Sequence, residues 1–262
     1  MKERRENTSD EPQIVQTASL ASGNTQIGVQ NNYTGLAITD AVQMAFSMMK
    51  EFYPQFKEEA LADLHEMLIR ELEKTNPQAI IPPTPKTAIP ALQNAAITGE
   101  SEIRGIYAKL LASSMNEELI SNVHPSFVNI VNQLSVYDAK VLKRIKEIHD
   151  SIPLARVTFN FDSKYLASVL PHYFSPYFEG FNDHFATSFS IENLARLNVI
   201  NLFEGNVISY DYNIIKEHPF IKERFEYAKA HNPNRNLEIK LREYVIQEND
   251  FGKKFIEICL PE

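Results

Sequence analysis

Apolar residues change their period once along this chain, and that change bounds what the chain can fold into. Between Asp40 and His149 they recur at three- and four-residue steps, the spacing of amphipathic helices. Phe56, Ala60, Leu61, Leu64, Met67, Leu68 and Leu72 form one such stripe, and Ile103, Ile106, Tyr107, Leu110, Leu111 and Met115 form another. After Pro153, Val157, Phe159 and Phe161 alternate with Arg156, Thr158 and Asn160, the two-residue period of a half-buried strand. The pattern predicts a mainly α protein with a smaller α+β part, a helix bundle followed by a winged-helix-like C-terminal region.

Turn and proline signals divide the chain further. Residues 1–36 are rich in Ser, Thr, Asn and Gln without a helical stripe, and predict a flexible N-terminal arm. Residues 37–76 predict a helical hairpin whose first helix starts at a capping Asp40 and ends at Pro54. Five of the fourteen prolines fall between Pro77 and Pro90, which predicts an extended connector across the surface over 77–90. Residues 91–150 predict the bundle, in which Ser135 and Asp138 form the capping box of a helix over Val136–His149. Within 151–262 the expected elements are a helix over Ser190–Leu197, a hairpin over Asn201–Tyr212 and one charged helix over Ile214–Ala230. A strand over Leu237–Gln247 and a short element over Asp250–Cys259 complete them.

Composition narrows the chemistry. The 34 acidic against 26 basic side chains give a formal net charge of −8, so strong nucleic-acid binding is not expected. Cys259 is the only cysteine, which excludes an intrachain disulfide and a cysteine zinc site and fits a reducing cytoplasm. Met1–Asp10 is polar and charged, unlike a secretory signal, and Gly35–Phe56 is interrupted by Asp40, Lys50, Glu51 and Pro54, unlike a membrane span. The seven histidines include no pair at metal-ligand spacing: His65-Glu66 opens like a zinc-protease helix, but Ile69 stands where the second histidine belongs. With no phosphate loop, nucleophile elbow or dinucleotide fingerprint, the chain is expected to be no enzyme, with no catalytic residue, metal or cofactor.

The sharpest local feature is Thr25-Gln26-Ile27-Gly28-Val29-Gln30-Asn31-Asn32-Tyr33. Stacked copies can bury Ile27, Val29 and Tyr33 while Gln26 and Asn31 form amide ladders along a fibre. No Asp, Glu, Lys or Arg occurs from Gln13 to Thr39, so in-register stacking meets no charge repulsion. An isolated copy buries too little to offset roughly 1–2 kcal/mol of backbone entropy per residue. The stretch resembles the RIP homotypic interaction motif and bacterial amyloid-signalling motifs, with Gln26, Ile27, Gly28, Asn31 and Tyr33 on the pattern and Thr25 where those motifs carry Val or Ile. The resemblance implies self-assembly, and a sensor protein with a matching motif as partner.

A longer resemblance covers about Pro77 to Cys259. Leu110-Leu111-Ala112-Ser113-Ser114-Met115, Val123-His124-Pro125-Ser126-Phe127-Val128, Leu134-Ser135 with Asp138-Ala139-Lys140, and Phe251-Gly252-Lys253-Lys254-Phe255 are similar, in this order, to segments of the abortive infection alpha family. That family is associated with phage exclusion in bacteria and prophages, and no catalytic residues come with the resemblance. His124-Pro125-Ser126-Phe127 suits a helix start, with Phe127 as core anchor, better than catalysis. The aromatic run Tyr165–Phe189 fits either core packing or a binding face. The Met-rich helix Ala41–Phe52 fits either a central helix or one that contacts a membrane. The function expected is that of a non-enzymatic antiphage effector or adaptor, clustered through its N-terminal stretch. The alternative is a winged-helix DNA-binding regulator or antitoxin-like protein.

Overall fold

The computed structural model describes residues 35–52, 58–148, 150–161, 164–166 and 170–261, and is mainly helical with one small sheet. Helix α1 (Ile38–Phe52) starts two residues before the expected cap: the amides of Asp40 and Ala41 both donate to the carbonyl of Ala37, and Asp40 sits in the first turn. It buries Ala41, Val42, Ala45 and Phe46 and turns Gln43 and Ser47 outward. Helix α2 (Glu58–Leu72) buries Leu61, Leu64, Leu68 and Leu72 on its predicted stripe.

The proline-rich segment departs from expectation. Ile80 is fully buried, and its carbonyl accepts the amides of Gly35 and Leu36. On the other side the Ile81 amide donates to Met115 and the Glu117 amide to Ala79. The chain therefore threads between two backbone segments there instead of crossing the surface. Helix α3 (Pro85–Ile97) then starts inside the proline run. Pro85 occupies the first turn, where its missing N–H is no loss, and Pro90 deletes a single bond to the turn before it.

Helix α4 (Ser101–Ser114) packs against α2 and α3, and Ile103, Ile106, Tyr107, Leu110 and Leu111 are all buried. Arg104, nearly buried, ties it to Asp63 of α2 by an ion pair and donates to the carbonyl of Thr98 at 2.8 Å. Two shorter steps follow, α5 (Ser126–Val131) and α6 (Val136–Ile148).

Strand β1 (Ile152–Phe161) pairs antiparallel with the short β2 (Lys164–Leu166) on one side. Helix α7 (His184–Arg196) begins six residues earlier than the apolar pattern indicates, because the Asp183 carboxylate caps the amides of Phe185 and Ala186 at 2.9 and 3.0 Å. Strand β3 (Ile200–Glu204) follows, then α8 (Asn213–Glu217) and α9 (Pro219–Ala230), expected as one helix. Pro219 splits them by forcing His218 to ψ 134°. Strand β4 (Glu238–Glu248) and helix α10 (Asp250–Cys259) end the fold.

The sheet order is β2-β1-β4-β3, all antiparallel. The hairpin expected over Asn201–Tyr212 does not form. β3 pairs with β4, from Ile200↔Glu248 to Glu204↔Tyr244, across an excursion that carries α8 and α9. The residues expected to return as a strand are used otherwise: Tyr210 closes a turn onto Val207, and Tyr212 is buried with its hydroxyl donating to the Tyr244 carbonyl.

Two cores meet at β1. Ile152 and Leu154 face the helical core with α1–α6 and α10. Ala155, Val157, Phe159 and Phe161, on the opposite face, join Phe174, Tyr212, Ile215 and Ile221 in a second core under α8 and α9. Closure of the first core depends on Gly252, where a Cβ would lie 1.8 Å from the Val199 carbonyl oxygen. Gly252→Ala should lower unfolding free energy by roughly 2–3 kcal/mol or more by forcing α10 off the α7–β3 link. Urea denaturation of the two proteins checks this, and equal midpoints would contradict the close approach.

Candidate functional site

The His124–Phe127 and Phe251–Gly252 segments, 124 residues apart from Phe127 to Phe251, meet in the fold. At the start of α5 the Ser126 amide donates to His124 Nδ1 at 3.2 Å, and Ser126 Oγ lies 2.6 Å from the same nitrogen. An amide can only donate, so Nδ1 is the acceptor and the serine hydroxyl donates to it as well. The nitrogen that a serine–histidine dyad needs as its base is thus shared with a backbone cap. Among the described residues no carboxylate orients the other side of the ring. The arrangement caps a helix.

Above that cap an aromatic cluster closes. The rings of Phe127 and Phe251 are 5.5 Å apart, those of Phe127 and Phe255 are 5.3 Å apart, and His124 lies 6.0 Å from both Phe127 and Phe251. Phe127 is buried, Pro125 and His124 are exposed, and Lys254 reaches Asn122 at 3.1 Å. Gly252 is placed by Asn249, whose side-chain oxygen caps the Gly252 amide at 2.6 Å. Its amide group donates to the Asn198 carbonyl and to Asn201 Oδ1. Asn198 adopts the left-handed conformation, φ 58°, at the end of α7.

The other family-like segments are joints as well. Ser113 Oγ donates to the Ile258 carbonyl at 2.9 Å, tying α4 to α10. The predicted capping box is present: the amide and hydroxyl of Ser135 both donate to Asp138 Oδ2, and the Asp138 amide donates to Ser135 Oγ. The same carboxylate, buried, accepts Asn193 Nδ2 at 3.0 Å and so clamps α6 to α7. Arg196 completes the clamp with bonds to Gln133 Oε1 and Asn193 Oδ1. Asn249 carried a sequence signal, an N-capping Asn before an acidic first turn. Asn193 and Arg196 carried none, since Gln133, the partner they share, lies about sixty positions away.

An open groove of about 500 Å³ lies between the excursion after β3 and strand β4, lined by Asn206, Ile208, Tyr210, Asn213, Lys216 and Glu243. Burial pushes the Tyr210 hydroxyl up to about 12, with the neighbouring Tyr177 and Tyr212 adding to it, so Tyr210 stays protonated near neutrality. No group of three or more His, Cys, Asp or Glu side chains among the described residues is placed to hold a metal ion. The predicted assembly residues Gln26, Ile27, Gly28, Val29, Asn31 and Tyr33 lie outside the described residues. No described helix is long and apolar enough to cross a membrane.

The aromatic run divides between the two roles open to it. Phe174 and Phe178 are buried, whereas Phe185 and Phe189 are exposed. Phe174 packs against His184 and His218, whose rings are 6.1 Å apart. Burial first, and then His218, hold the His184 imidazole below its usual range, while Asp183 opposes them. The fold therefore takes up this proton less readily than the unfolded chain does. The stability that neutral His184 contributes is complete above the ordinary histidine range and is lost as pH falls through the lower folded value. Denaturation midpoints should drop between about pH 7 and about pH 5, and His184→Phe should flatten that drop. An unchanged acid limb in the variant would contradict the assignment.

A family model described as abortive infection alpha matches residues 56–259. No curated protein and no solved structure matches the chain.

Proposed function

From the premise that this chain belongs to the abortive infection alpha family, we propose that it is a non-enzymatic antiphage effector or adaptor, switched on by clustering through its N-terminal stretch. The abortive-infection role comes with the family. The mode of action rests on one observation: Thr25–Tyr33 alternates apolar and amide side chains inside a stretch, Gln13 to Thr39, that carries no charged residue. A sensor displaying a matching strand would template this one and gather many copies of the body. The body supports the reading in a simple way, because its family-like segments serve as joints between helices and not as a reactive cluster. Membrane contact through α1 would require Ala41, Val42, Ala45 and Phe46 to leave the core, so the output is assigned to surface contacts of the clustered body.

A second reading starts from the order of the strands. Strands β1, β4 and β3 lie side by side with α7 leading into β3, and were this a winged helix α7 would be the element facing DNA. Yet α7 carries one basic residue, Arg196, already held by Gln133 and Asn193, and a phosphate backbone calls for several cations. Salt-sensitive retention of random duplex by the purified chain would turn the balance toward that reading.

The clustering proposal is tested with a peptide spanning Leu20–Gly35 and with phage challenge. The peptide should form thioflavin-positive fibrils, and Ile27→Asp or Gly28→Pro in the full chain should abolish protection while leaving the melting temperature of the body unchanged. A peptide that stays monomeric, beside a full chain that still protects, would end the proposal.

A further inference from the structure

Helix α7 is amphipathic in reverse. Its inward side buries Thr187, Ser188 and Ser190 beside Ile191 and Leu194. The hydroxyls are provided for there: Thr187 Oγ1 donates to the Asp183 carbonyl at 2.8 Å, and Ser188 Oγ accepts the Tyr173 amide at 2.9 Å. Its outward side presents Phe185, 45% exposed, and Phe189, 71% exposed. Hydroxyls inside and phenyl rings outside invert the usual order, and two rings four residues apart share one helix face. The face continues with Glu192 and Arg196, so the exposed positions run 185, 189, 192, 196 in steps of four, three and four. That is the spacing of a seam between paired helices.

Charge selects the occupant. Glu192 Oε1 lies 2.5 Å from His172 Nδ1 of its own chain, a hydrogen-bonding contact on the same face. The Arg196 guanidinium bonds only amide oxygens, and no carboxylate lies within ion-pair distance among the described residues. Along the helix the seam therefore reads ring, ring, an acid hydrogen-bonded to a histidine, and a cation with no carboxylate beside it. We propose that this face of α7 is a self-association surface on which two copies of the chain pair antiparallel about a twofold axis. In that register each Arg196 lies over the Phe185 ring of the other copy, a cation over an aromatic face, and each Phe189 packs beside the opposite His172–Glu192 pair. A parallel pair would set the two Arg196 cations against each other. A duplex would meet a single cation per helix and two rings that offer phosphates nothing.

One thirteen-residue helix buries less than a standard interface, so the contact is weak. It fills only when copies are crowded, which makes it independent of the N-terminal stretch in its chemistry and linked to that stretch through local concentration alone.

The test uses the full chain carrying Gly28→Pro, which removes the fibre route and leaves α7 intact. Sedimentation equilibrium across concentrations from about 1 μM to about 300 μM should show a reversible monomer–dimer equilibrium. Phe189→Glu should weaken it at least about tenfold with an unchanged thermal melt, since that side chain makes few contacts in its own chain. Arg196→Glu should weaken it as well, and adding Phe185→Lys should restore it, because only the antiparallel register brings positions 185 and 196 together. A monomer at every concentration would overturn the proposal. So would a dimer indifferent to Phe189→Glu, which would place the contact elsewhere, and failure of the double variant to recover would overturn the antiparallel register.

Discussion

The fold depends on β1 having two apolar faces. Ile152 and Leu154 are needed by the helical core, while Ala155, Val157, Phe159 and Phe161 are needed by the core under α8 and α9. Because successive side chains point to opposite sides, a slip of one residue against β4 would turn each set away from its own core and toward the other face. The pairing from Ile152↔Ile246 to Asn160↔Glu238 therefore fixes the whole C-terminal half. The helices and the sheet share this strand as a common wall.

Around that wall the chain places polar side chains where elements join. Asp138 clamps α6 to α7, Asn249 seats α10 on the α7–β3 link, and His124 caps α5 beneath an aromatic cluster. Most polar groups at these joints are paired, which stiffens the joint, and the exception is Asp138 Oδ1, buried without a partner while Oδ2 makes the contacts. What the described surface offers instead is shape and apolar area, most plainly on α7.

Much of this was legible in the sequence, and the parts that were not share a cause. The stripes of α2 and α4, the alternation in β1 and the Ser135–Asp138 box depend on neighbours in the chain, and each is found where the pattern puts it. The partner of β3, the buried course of Ile80 and the Asn193–Asp138 clamp are decided by residues far away in sequence. Nothing local distinguishes Tyr212 as a core anchor from Tyr212 as a strand residue, and the hairpin expectation failed there. The start of α7 was hidden for another reason: its exposed phenylalanines and buried hydroxyls contradict the helical stripe that marks a boundary, so only the Asp183 cap signals it.

If number, and not a reaction, turns the protein on, the N-terminal stretch should be replaceable by any device that gathers copies. The direct measurement is phage plating on cells in which residues 1–34 are exchanged for an unrelated domain that oligomerises on adding a small molecule. Protection should appear only with the inducer and should scale with the oligomer it forms. Full protection without inducer, or none at any level of clustering, would contradict the assignment of activity to crowding.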